Sequence, residues 1–244
     1  MQDLWIALNL FNEEQMLEEL LQNIRSHLPE SKIIAVDGSY LALFQEARVL
    51  AASCFSQRNN PLGEEYLRLA SGPSSDRTVQ ILKDFKVDKI IETPRGMPWP
   101  TEHTKRSQYL QVLKPNDWVF VLDGDERLNG KPPTIEFLES GGSLDYCIML
   151  KRDDDPPSNP YPVLRIHKKT DEYMRYRKAH HHLYRGEKII NKKHVDHFLI
   201  PDLIVEHLWY KRSYMTPHRH RTKGQYYVRL LEKIEAVARA KEGF

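Results

Sequence analysis

Asp123-Gly124-Asp125-Glu126 places three carboxylates within four residues, directly after the apolar run Trp118-Val119-Phe120-Val121-Leu122. Two acids separated by one small residue can both face a single divalent cation, and hard carboxylate oxygens suit Mn²⁺ or Mg²⁺. Three acids crowded at the end of a buried strand repel one another unless a counter-ion is near; a solvated Asp-Gly turn is the alternative. Asp37, in Val36-Asp37-Gly38-Ser39, ends a second apolar run. A carboxylate there either accepts hydrogen bonds from a nucleotide base or ribose or simply forms the turn. Asn12-Glu13 follows a third such run, where Asn12 reads as a helix N-cap.

All of these acids fall at strand ends, and that fixes what must position them. Residues 4–8 read as a buried strand. The helix that follows has Gln15 at the capping-box position, an apolar stripe of Met16, Leu17, Leu20, Leu21 and Ile24, and Pro29 as its stop. Strands at 32–36, 89–92 and 118–122 alternate with helices at 75–85, opened by Ser75-Asp76, and at 101–114. That alternation predicts an α/β sheet with parallel neighbours, whose ligands gather at the carboxyl edge. Residues 41–73 form an insertion with one helix, 41–54, and a polar loop, 56–63. In the second half, 145–150 and 163–167 read as strands and 168–197 as a basic, aromatic, histidine-rich segment. Thr216-Pro217 opens a C-terminal helix with Tyr227, Leu230, Leu231, Ile234, Val237 and Ala238 on its apolar face.

Composition narrows the function classes. At 244 residues the chain holds one or two domains, and 40% hydrophobic with 29% charged residues is the balance of a soluble globular protein. No run reaches membrane-spanning length, and the N-terminus lacks a basic leader, so no signal peptide is expected. Cys54 and Cys147 stand far apart, which excludes a disulfide scaffold or thiolate zinc site and points to the cytoplasm. The histidines, His180-His181-His182, His194, His197, His218 and His220 among them, match no zinc spacing. GxxxxGK[ST], GxGxxG and GxSxG are all absent, excluding a P-loop hydrolase, a dinucleotide oxidoreductase and an α/β-hydrolase.

Phe11-Asn12-Glu13-Glu14, Val36-Asp37-Gly38-Ser39, Ser75-Asp76-Arg77-Thr78, Lys105-Arg106 and the stretch from Asp117 to Glu126 come in an order that resembles family 2 glycosyltransferases of the GT-A fold. The resemblance covers roughly residues 4 to 128. Asp-Gly-Ser and Ser-Asp-Arg-Thr, continuous in that family, are separated here by the insertion. It implies a mixed sheet flanked by helices with a C-terminal helix, in a single domain over 1–244. Residues 1–130 would be the nucleotide-sugar donor half and 131–244 the acceptor half. It implies a metal-dependent transfer from a nucleoside-diphosphate sugar, UDP- or GDP-linked, to an acceptor hydroxyl. Phe11, Asn12, Glu13, Asp37, Asp76, Lys105, Asp123, Lys211 and Arg212 would bind the donor. Asp123, Asp125 and His207 would hold the metal. Charge developing on the departing diphosphate is what such a cation and nearby Lys or Arg would stabilise.

An inverting transfer also needs a base for the acceptor proton, and Asp153, Asp154 and Asp155, in the turn after the strand following Asp-x-Asp, are its candidates. The Gln-x-x-Arg-Trp signature of processive members is absent, favouring one transfer per encounter. The net charge of +2 hides unlike halves: 15 Lys+Arg against 22 Asp+Glu up to residue 150, and 21 against 12 after it. A basic second half fits an anionic acceptor such as a phosphorylated glycan or modified DNA. Two rivals remain at this stage: a nucleotidyltransferase, which should carry a Gly-rich, Arg-containing loop after the first strand, and a non-catalytic nucleic-acid-binding module.

Overall fold

The computed structural model describes residues 3–69, 72–93, 97–153, 159–177, 182–190 and 198–208. The apolar runs become strands β1 (Leu4–Leu10), β2 (Lys32–Asp37), β3 (Lys89–Ile91) and β4 (Trp118–Asp123), all parallel. Beyond β4 come β7 (Tyr161–Lys168), antiparallel to both neighbours, then β6 (Asp145–Arg152), β11 (Phe198–His207) and β5 (Glu126–Gly130). The order is β3-β2-β1-β4-β7-β6-β11-β5. Strands from both halves of the chain thus share one sheet, the helix-flanked mixed α/β layout expected of a GT-A-like fold. Among the described residues no helix is long and apolar enough to cross a membrane.

Each sheet face has its own core. On one, α1 (Glu14–His27) and α4 (Thr78–Asp84) lay Leu17, Leu20, Leu21, Ile24, Ile81 and Leu82 against Ile6, Leu8, Ile33, Phe120 and Leu122. On the other, Ala7, Ile34, Val36, Val119 and Val121 meet Tyr109, Leu110 and Leu113. They also meet Met174, Tyr176 and Leu183 of a small sheet, β8 (Met174–Arg177), β9 (His182–Arg185) and β10 (Lys188–Ile189). Fully burying one such leucine or valine is worth about 1.5–3 kcal/mol.

Several expectations are corrected. Asn12 is not the N-cap of α1: Glu13 holds that position, and Asn12 adopts the left-handed conformation at φ 56°. Its side chain is used elsewhere, as described below, and Asn tolerates this conformation better than most residues. The expected helix at 101–114 shortens to α5 (Glu102–Arg106), capped by Thr101, with a separate 3-10 turn at Tyr109–Gln111. Ser107 interrupts it, donating Oγ to the His103 carbonyl while accepting from the Tyr176 amide. The insertion holds two helices, α2 (Leu41–Ser56) and α3 (Asn60–Leu69), packed chiefly against each other. The start of α3 falls where a polar loop is expected; Pro61 fits there because proline is tolerated in a helix's first turn. The helix expected from Thr216 lies outside the described residues.

Candidate functional site

Register builds the site. Asn9 of β1 lies beside Asp123 of β4, and Leu10 beside Asp37 of β2, so three strand ends form one carboxyl edge. From β4 the chain turns through Gly124-Asp125 into β5, where Glu126 pairs with His207 of β11. The amide of Leu208 donates to the Asp125 carbonyl at 2.8 Å, and His207 Nε2 stands 3.4 Å from Asp125 Oδ2. Two of the three expected metal ligands, Asp125 and His207, are therefore brought together at one corner. Burial pulls the His207 imidazole down, but its hydrogen bond to Asp125 and the charges of Asp125, Glu126 and Asp123 outweigh that and raise its pKa.

Asp123 does not face His207 in the same way. Its Oδ1 accepts from Arg106 Nη2 at 3.1 Å, and Oδ2 lies 3.4 Å from Arg165. Arg165 also pairs with fully buried Glu126 through Nη2 and Oε1. Burial raises the Glu126 carboxyl above its usual range, against the pull of Arg165. Among the described residues no group of three or more His, Cys, Asp and Glu stands ready to hold a metal. Asn9, next to Asp123, buries an amide whose Oδ1 and Nδ2 have no hydrogen-bond partner among the described residues.

The other end of the edge is a knot of short loops. Asp37 is fully buried and its carboxylate accepts from the Ser74 amide at 2.7 Å and from Ser74 Oγ. Burial raises its pKa, opposed by Ser74 and by Lys105. Ser74 Oγ accepts from the Asn12 amide, and Asn12 Oδ1 accepts from Ser75, both at 2.8 Å. Glu13 donates its amide to Thr78 Oγ1 at 2.7 Å. Asp76 accepts from the amides of Thr78 at 2.9 Å and Glu14 at 3.2 Å. The two stretches split in sequence by the insertion are thus rejoined in space by the Ser74–Asp37 bonds, while Asp76 ties the second of them to the start of α1. Both ends of the insertion meet here, with the Ser39 amide donating to the Gly72 carbonyl at 2.8 Å.

Lys105 is buried and donates Nζ to the Leu10 carbonyl at 2.8 Å. Burial lowers its pKa to about 8, with the Asp37 carboxylate the chief opposing influence. It therefore serves the Asp37 end of the edge, and Arg106 the Asp123 end. Phe11 is buried behind them. Gly124 lies so close to Glu13 that an added Cβ would stand 2.8 Å from Glu13 Cγ. Asp153 reaches the same edge, its amide donating to the His207 carbonyl at 3.1 Å. Asp154, Asp155, Lys211 and Arg212 lie outside the described residues. Sequence reasoning missed Arg165; its signal was one arginine inside Val163-Leu164-Arg165-Ile166, a cation that a buried strand must neutralise.

The fold and edge define a mixed α/β protein with an acidic, arginine-flanked turn at the end of its central strands. No protein-family model matches the chain, and no curated protein matches it. Solved structures do. One is S. aureus TarS 1–349, at 15% identity and TM-score 0.39 over 63% of this chain and 37% of that one; its complex with UDP-GlcNAc matches likewise. Another is glucosyl-3-phosphoglycerate synthase from Mycobacterium tuberculosis, solved with Mn²⁺, UDP and glucosyl-3-phosphoglycerate. It shows 12% identity and TM-score 0.37 over 64% of this chain and 46% of that one. This chain thus spans less than half the length of these structures.

Proposed function

We propose that the protein is a glycosyltransferase that takes a sugar from a nucleoside diphosphate, with Mn²⁺ or Mg²⁺, and passes it to an acceptor hydroxyl. One observation carries this reading: β11 returns His207 to within 3.4 Å of Asp125, at the turn where β4 delivers Asp-Gly-Asp. Two ligands about 2.1 Å from one cation and at right angles to each other lie about 3 Å apart, so this pair fits a shared ion. A complete protein cage is not required, because Mg²⁺ sites commonly take one or two carboxylates and fill the rest with phosphate and water. Such a cation would stabilise the charge of the departing diphosphate.

The chain's own groups divide the remaining work. Asp37, Glu13 and Lys105 line the nucleoside end, with Phe11 and Asn12 setting the loop and Asp76 clasping it. Asp123 and Arg106 stand at the diphosphate end, joined by Lys211 and Arg212 in this reading. Asp153, with Asp154 and Asp155, supplies the base for the acceptor proton if the transfer inverts. The acceptor is anionic in this reading, a phosphorylated glycan or modified nucleic acid, because the second half is basic.

The test is thermal stabilisation by UDP, GDP and dTDP, each with and without Mn²⁺. At least one nucleotide should raise the melting temperature, and more so with metal. Asp125→Ala should remove the metal-dependent part and leave the fold. A folded protein that responds to none of the nucleotides would overturn the reading.

A further inference from the structure

The metal corner contains more positive charge than a cation site needs. Asp123 and Glu126 face Arg106 and Arg165 while Asp125 faces His207, so the three carboxylates stand among two guanidiniums and an imidazole. A divalent ion arriving alone meets little net negative charge, and Asp123 already has both oxygens engaged by arginine. The side chains of Arg106 and Arg165 are 12% and 14% exposed, so both charges sit largely out of water beside the edge. Arginine offers a fork of donors, and a diphosphate is a stronger partner for it than a shared carboxylate. The amide of Asn9 beside Asp123, unpartnered among the described residues, marks the same spot as suited to a polar ligand.

We infer that Arg165 is a second diphosphate-binding residue, held in reserve by Asp123 and Glu126, and that this exchange makes metal and nucleotide bind cooperatively. The inference rests on the donor reading above. When the diphosphate docks, Arg165 and Arg106 pass to phosphate oxygens and Asp123 is released toward the cation. Neither ligand does this alone. The metal lacks a new partner for the arginines, and the diphosphate leaves Asp123 and Glu126 facing each other uncompensated. Coupling between two ligands is reciprocal, so each should tighten the other by the same factor.

The experiment measures Mn²⁺ affinity by electron paramagnetic resonance of the free ion, with and without saturating UDP, and follows folding by cooperative melting. In the wild type UDP should tighten Mn²⁺ about tenfold or more, within the usual range of coupled sites. Glu126→Gln with Arg165→Gln removes the buried pair as a unit and avoids leaving one charge unpartnered. That variant should bind Mn²⁺ alone more tightly than the wild type, because Asp123 has lost one arginine, while the coupling falls at least fivefold. A merely structural role for Arg165 would weaken both measurements together. Should the double variant not fold, Arg165→Lys carries the test with at least a threefold loss of coupling. A wild type that binds Mn²⁺ equally well with and without UDP overturns the inference, as does a variant whose coupling stays within twofold. A wild type that binds neither Mn²⁺ nor any of UDP, GDP and dTDP overturns the donor reading as well, which separates the two failures.

Discussion

Gly124 ties the two acids of the edge together. A Cβ there would meet Glu13 Cγ at 2.8 Å and Leu10 Cδ2 at 3.2 Å. Glu13 cannot retreat easily, because it is buried and its amide is held by Thr78 Oγ1. Gly124→Ala should therefore cost about 1–3 kcal/mol, the usual penalty for overpacking, and push Glu13 off the turn. Denaturant unfolding of Gly124→Ala, Glu13→Ala and the double variant checks this as a cycle. Removing Glu13 should recover most of the loss; if the two effects simply add, the contact is not the cause. Part of the site was legible at this scale. Asp123, Asp125, Asp37 and Glu13 follow apolar runs, and a carboxylate at the end of a buried strand is visible in any sequence. Arg165 was not, since nothing local tells which distant carboxylates a strand arginine will neutralise.

At the scale of elements, the parallel strands and α1 were legible because their apolar periods are unbroken, whereas the small sheet β8–β10 was not. Its strands of two to four residues are too short for a period to show, and they are held by charge as well as by packing. Arg185 of β9 makes a two-pronged pair with Asp145 of β6, at 2.9 Å through each nitrogen, and both residues are buried. Removing one partner of such a pair leaves the other charge stranded. Arg185→Met should cost about 3 kcal/mol, and Asp145→Asn in the same background should restore part of it. Because the Tyr176 amide of β8 also donates to Ser107 Oγ at the end of α5, the loosened sheet should weaken the element that aims Arg106 at Asp123. Chemical denaturation measures the stability loss. Hydrogen exchange at Tyr176 and Arg177 should rise in Arg185→Met; unchanged protection there would mean that packing alone holds the small sheet.

Across the whole molecule, one buried histidine joins three elements and makes stability depend on pH. His167 of β7 lies 3.3 Å from the Tyr109 hydroxyl, which in turn lies 2.6 Å from that of Tyr176 in β8. Burial, aided by nearby Arg185, lowers its pKa from 6.5 to about 3. The folded protein therefore keeps His167 neutral where the unfolded chain binds a proton. Its contribution is complete above pH 6.5 and is lost as pH falls toward 3, at up to about 1.4 kcal/mol per pH unit. Other groups titrate in the same range: Glu126, with its raised carboxyl, acts in the opposite sense and gains as pH falls. The quantity to measure is therefore the difference between wild type and His167→Gln, which keeps a hydrogen-bonding group for Tyr109 and cannot titrate. Unfolding in urea between pH 7.5 and 5 should show the wild type losing stability relative to the variant by about 2 kcal/mol, most of it below pH 6.5. A difference that stays constant over that span would mean that His167 accepts its proton in the fold, and that the Tyr109–Tyr176 pair makes room for the charge.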